Sequence, residues 1–228
     1  MKNQEVIILG PEFESAYKDQ LLKNISEVRK SIGTKNMNEK ITNHSKKYGR
    51  SEGDIINKIL HDDMYAEIFA IDPQRQNVYE RKAAEWISCI PNITGFTNHP
   101  NSAKIFVVSG NVSDARKDDI KSVDFTFRAK ENTDIVFYAT HKYTGTGHGT
   151  TQKHQYSEIR KFLENCRNSK DPNVFFVAIL DGPYYLKYNF IEELNKEFSS
   201  DNIGVLRSSE IESFVDKAVR KRSLRVVI

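Results

Sequence analysis

Cysteine is scarce in this chain: two in 228 residues, Cys89 and Cys166. That excludes a disulfide scaffold and fits a reducing compartment, with both thiols expected to be ordinary buried side chains. There is no run of about eighteen apolar residues, which excludes a hydrophobic membrane-spanning helix. The opening MKNQEVIILGPEF lacks the basic start, long apolar stretch and small-residue cleavage site of a secretory signal, so a cytoplasmic protein is expected. No internal repeat or low-complexity tract occurs, which argues against a solenoid or a compositionally biased array. An excess of either sign of charge is nearly absent as well. Thirty-four Lys and Arg stand against 31 Asp and Glu, a net charge of +3, too small by itself to point to nucleic acid.

What is present is enough to fold. Hydrophobic residues make up 38% and aromatics 11%, sufficient for one large core or two small ones. The basic residues are clustered although their sum is not. KITNHSKKYGR (residues 40–50) carries Lys46, Lys47 and Arg50, and KAVRKRSLR (residues 217–225) is a second basic cluster. THKYTGTGHGTTQKHQ (residues 140–155) has no acid, and it holds His141, Tyr143, Thr144, His148, Lys153 and His154. Such clusters suit phosphate. Each alone is equally a solvated face.

The front of the chain reads as helical. Apolar residues recur at helical spacing over residues 11–32, SEGD (residues 51–54) is a capping box before Ile55, Ile56, Ile59 and Leu60, and residues 76–90 form a helix that Pro91 stops. NITGFTNHPNS then reads as turn-rich. Behind it the spacing predicts strands at KIFVVSG, VDFTF and DIVFYAT, a helix over residues 155–166, and a central strand NVFFVAIL buried on both faces. A helix over residues 189–198, a strand IGVLR and a serine-capped helix SSEIESFVDKAV follow. Three consecutive strands predict an antiparallel meander. The helix after them returns the chain to a parallel strand of the same sheet, giving an α/β mixed sheet of about five strands flanked by helices.

SVDFTFRAKENTDIVFYATHKYTGTG (residues 122–147) concentrates the chemistry. Asp124 lies on the polar side of one strand and Lys142 at the tip of the next. An acid and a lysine so arranged suit a metal-dependent phosphodiesterase, in which carboxylates hold the cation and the lysine serves the water and the phosphate. A second acidic oxygen donor is needed, and the residue two before the lysine is Thr140. Glu85, on the helix before the strands, is a lesser candidate, with a solvated ion pair to Arg81 or Lys82 as the alternative. The tyrosines of DGPYY are either DNA contacts or core-edge residues.

The order of elements over residues 76–219, with an acid on the second strand and a lysine on the third, resembles the PD-(D/E)XK nuclease fold of type II restriction endonucleases. NVFFVAILDGPYY and DNIGVLRSSEIESF are similar to the end of the FokI-type cleavage domain, and YATHKYTG resembles the EcoRI-type strand end. The resemblance puts the family's first acid on Asp124, its lysine on Lys142 and its missing second acid on Thr140. A second register would put acid and lysine on Ala139 and His141. Some restriction enzymes carry the second acid on the following helix and a hydroxyl two residues before the lysine, which makes Thr140, Lys142 and Glu158 a matching set. Asp124 and Glu158 would then hold Mg2+.

The resemblance therefore implies a restriction-endonuclease-like core at residues 76–228. An added helical region at residues 1–75 would serve DNA contact or dimerisation. The implied activity is that of a magnesium-dependent, site-specific endodeoxyribonuclease acting on double-stranded DNA, as a homodimer, in a prokaryotic cytoplasm and away from membranes. A DNA-binding or regulatory protein that kept the fold, disabled by substitution at 139 or 140, is the alternative from another class. A repair or transposition nuclease is the third.

Overall fold

A computed structural model describes residues 10–71, 75–100, 104–114, 120–145, 150–198 and 200–226. The chain divides into two compact units, Glu12–Tyr79 and the part from Glu80 onward.

The first unit is helical: α1 (Phe13–Lys30), α2 (Lys35–Tyr48), α3 (Glu52–His61) and α4 (Asp63–Glu67). The SEGD signal holds, because Ser51 caps α3 by accepting from the Asp54 N–H at 3.1 Å. Ile25, Val28, Met37, Ile41, Ile55 and Ile59 bury one shared core. Helix α2 lies on a stretch read only as a basic cluster. Its apolar positions, Met37 and Ile41, are too few to stand out against four lysines. The helix α5 (Arg75–Ser88) contains the division between the units.

The second unit is a mixed α/β arrangement around a five-stranded sheet in the order β1-β5-β6-β7-β8. Its strands are β1 (Ile93–Asn98), β5 (Phe125–Ala129), β6 (Val136–Tyr143), β7 (Val174–Asp181) and β8 (Ile203–Leu206). The first three run antiparallel, and β7 and β8 are parallel to β6. The crossover between β6 and β7 is α6 (Thr150–Cys166). The short α7 (Pro183–Lys187), α8 (Phe190–Glu197) and the closing α9 (Ile211–Val226) complete it. One sheet face packs Phe176, Ala178 and Leu180 against Ile159, Phe162 and Leu163 of α6. The other stacks Phe127 on Phe137 at 5.0 Å, with Phe214 of α9 edge-on to Phe137 and Phe175.

The meander is composed differently from the expectation. Its first strand is β1, from the segment read as turn-rich. Gly95 at φ +60° and a register shift between Thr94 and Thr97 give it the turn-like letters of a bulged edge strand. KIFVVSG supplies β2 (Ile105–Val108), which belongs to a separate sheet with β3 (Asn111–Ser113) and β4 (Ser122–Val123). VDFTF is accordingly not one strand. It passes from one sheet to the other at Asp124. DGPYY is a turn running into α7, and its tyrosines are core: Tyr184 and Tyr185 are both buried. Cys166 is buried, whereas Cys89 is exposed. Among the described residues, no helix is long and apolar enough to cross a membrane.

Candidate active site

Asp124 occupies the switch between β4 and β5. Its N–H donates to Ala139 O at 2.8 Å, and its carbonyl accepts from the His99 N–H at 2.9 Å, so the backbone is held on both sides. Phe125 pairs with Ala139 across β5 and β6, which sets Asp124 beside Thr140. The Thr140 hydroxyl donates to Asp124 Oδ2 at 2.9 Å and the His141 N–H to the same oxygen at 2.8 Å. Side chains at 140 and 142 share a face by strand alternation, so Lys142 stands on Asp124's side of the sheet. Ala139 and His141 point to the opposite face. Thr140 and Lys142, rather than Ala139 and His141, are therefore the β6 residues on the side of Asp124.

Sequence reasoning missed the partner that matters most to Asp124. The Lys121 ammonium lies 2.8 and 3.0 Å from its two carboxylate oxygens. Both side chains are nearly out of water, at 14% and 7% exposure. Burial raises the Asp124 pKa. The charge and hydrogen bond of Lys121, the His141 N–H and the Thr140 hydroxyl together outweigh it and hold the carboxyl below its ordinary value.

Glu80 was missed as well. Burial first, and then the negative charge of Asp124, push its carboxyl above the ordinary value, against the opposing charges of Lys121, His141 and Lys142. The acid that α5 brings to the site is therefore Glu80, while Glu85 is exposed and pairs with Lys82 at 3.6 Å. The signal was legible. Glu80 shares the stripe of Ala83, Ala84 and Ile87, all buried, at the i, i+3, i+4, i+7 positions of one helix face, and Glu85 does not.

Glu158 comes to Lys142. Its Oε2 lies 2.8 Å from Nζ, and its Oε1 lies 3.3 Å from Nε2 of exposed His154. Both carboxylate oxygens are thus engaged by basic side chains of β6 and α6 rather than by Asp124.

The expected phosphate contacts separate into groups. His141 is fully buried, with Nε2 3.1 Å from Asp181 Oδ2, so it is not a surface contact. Asp181 also accepts from Ser208, from the backbone N–H at 3.1 Å and the hydroxyl at 2.5 Å, which ties the ends of β6 and β7 to the turn after β8. Thr144 is buried too, donating to Gln155 at 2.7 Å with Tyr185 Oη at 3.1 Å. Neither burial was visible in a segment whose letters are polar throughout. Tyr143 is half-buried, whereas Lys153, His154, Lys46, Lys47 and Arg50 are exposed. His148 lies outside the described residues. In the basic tail, Arg222 is buried, with its guanidinium over the Phe175 ring at 5.4 Å.

Among the described residues, no group of three or more His, Cys, Asp or Glu is placed to hold a metal ion. Asp124, bonded by the Thr140 hydroxyl, is the buried acid here, and Glu80 is the acid whose pKa its charge helps to raise. Two mutually repelling carboxylates suit a hard divalent cation, provided Lys121 leaves Asp124. No protein-family model, curated protein or solved structure matches the chain.

Proposed function

We propose that the protein is a magnesium-dependent endodeoxyribonuclease with a PD-(D/E)XK-like core, acting on double-stranded DNA at a specific sequence as a homodimer. The observation that carries this reading is the buried Asp124 carboxylate, held by the Thr140 hydroxyl at 2.9 Å and the Lys121 ammonium at 2.8 Å, with Lys142 on the same face of β6 as Thr140. The Glu80 carboxyl, whose pKa is raised by burial and then by the Asp124 charge, supports it. Asp124 and Glu80 would hold Mg2+, which when bound neutralises charge at the scissile phosphate and acidifies a water. Lys142 offsets phosphate charge and orients the attacking water. Glu158 fixes the Lys142 ammonium, and Thr140 fixes the Asp124 carboxylate. In this assignment Glu158 leaves the metal set expected from sequence and Glu80 enters it. Lys121 neutralises Asp124 here, and with Mg2+ held by the carboxylates it would be free to offset phosphate charge.

Lys121 also favours a second reading. An ammonium already on both Asp124 oxygens supplies the positive charge that a cation would, as in a DNA-binding protein that has lost catalysis. Incubating the protein with a mixed-sequence plasmid and magnesium separates the readings. Discrete bands support the site-specific nuclease and a smear supports a nonspecific repair or transposition enzyme. Intact plasmid, together with a melting temperature unmoved by magnesium, manganese or calcium, supports the binding protein.

A further inference from the structure

We propose that α2 is the base-reading element, lying in the major groove of duplex DNA with the face that carries Asn38 and Asn43. This rests on the reading of the protein as one that acts on DNA, and it names the part that selects sequence.

The inner face of α2 fixes its rotation. Met37 and Ile41 are buried in the helical core. His44 is half-buried against Phe69 at 5.0 Å between ring centroids, with Nε2 3.2 Å from the Tyr65 hydroxyl. The opposite face is therefore determined. Lys35, Asn38, Glu39, Thr42, Asn43 and Lys46 line one open concavity of about 770 Å³, and all but Thr42 are exposed. Thr42 is engaged by Glu52 at 2.7 Å, and the Asn38 amide donates to Gly33 O at 3.4 Å, a long bond at the exposed turn before the helix that a base edge would replace. The exposed amides stand mid-helix, with Lys35 before them and Lys46, Lys47 and Arg50 after.

That layout matches the division of labour on a duplex. Side-chain amides bond adenine edges in two places, and a carboxylate such as Glu39 accepts from cytosine. Lysines and arginines to either side bind phosphate and set the register. Fourteen residues make a helix of about 21 Å, and the major groove admits one.

Charge selects this helix over its neighbour. The turn between α2 and α3, through Gly49 and Arg50, has the length of a helix-turn-helix connection. In that motif the second helix normally reads. Here α3 opens on Glu52 and Asp54 and is followed by Asp62 and Asp63, which phosphate repels. Helix α2 has four lysines and one acid.

The test uses the full chain and a pool of random-sequence duplexes in calcium, from which bound DNA is recovered and sequenced. The wild type should enrich one motif. Asn38→Ala/Asn43→Ala should erase enrichment at particular positions and weaken binding to the selected duplex about tenfold or more, with nonspecific affinity unchanged and the helical content retained by circular dichroism. Lys46→Ala/Lys47→Ala should lower the log–log salt slope by about 0.9 per lost contact and leave the motif intact. A wild type that enriches nothing, or an unaltered motif from the double asparagine variant, overturns the assignment to α2. Failure of the nuclease reading looks different: the motif is enriched through α2, yet plasmid stays intact in magnesium.

Discussion

Glu80 and Asp124 oppose each other in their pH dependence. The Asp124 pKa is lowered in the folded state, so its contribution to stability is present above the ordinary carboxylate value and is lost as pH falls through the lowered one. The Glu80 pKa is raised, so its relative stabilisation is present below the ordinary value and is lost as pH rises through the raised one. Glu80→Gln should therefore melt higher than wild type at pH 8 without divalent cations, and equal to it near about pH 4. It should also lose the thermal shift on adding magnesium. Its cleavage should fall beyond the about 10–100-fold typical of groups that only support a metal ligand. A wild-type melting temperature unmoved by magnesium would remove Glu80 from the metal set. Asp124→Asn is not a silent substitution. It leaves the Lys121 ammonium buried without its carboxylate, a loss of about 3–5 kcal/mol. Urea unfolding should report it, and Lys121→Gln in the same chain should recover part, with a coupling of about 1–3 kcal/mol. At this scale Asp124 was legible as a polar residue between Val123 and Phe125, although the change of sheet at that position was not. Lys121 was not, because the loop path that returns its ammonium to Asp124 leaves no periodic trace.

Elements position these residues through a few obligatory contacts. Gly182 joins β7 to α7 at φ +100°, and a Cβ there would lie 2.2 Å from Thr144 O. Thr144 directly follows β6, and its N–H donates to Asp181 O at 3.0 Å, so the strap that ends the Lys142 strand rests on this glycine. Gly182→Ala should cost more than about 2 kcal/mol from backbone strain and overlap together. Denaturant unfolding should show a lower midpoint at unchanged slope, and an unchanged midpoint would remove the strap. The glycine was visible in DGPYY as a sharp turn, but Thr144 as the atom it makes room for was not. Strand β7 was read correctly from its unbroken apolar run. Strand β1 was missed because a bulge and a turn share the same letters.

Two compact units with separate cores make the whole molecule. Ile59 is fully buried in the helical one, and Ile59→Ala should destabilise by about 2–5 kcal/mol. Hydrogen exchange should show α1–α4 opening more easily while β5–β8 keep their protection, since the helical core and the core under α6 are built, among the described residues, from different side chains. Equal loss of protection in both units would mean that they unfold as one.

By itself the sequence determined the helical front, the α/β back, the strands β5 to β8 and the polar face that carries Asp124. Each follows from a local period of apolar residues that water enforces within a few turns of chain. Tertiary structure alone decided that β1 rather than β2 opens the meander, that Lys121 and Glu80 surround Asp124, that Glu158 goes to Lys142, and that His141 is buried on Asp181. Those outcomes depend on which distant segments pack together, and on charges such as those of Lys121 and Lys142 that find partners only after the sheet has brought strand ends to the same place.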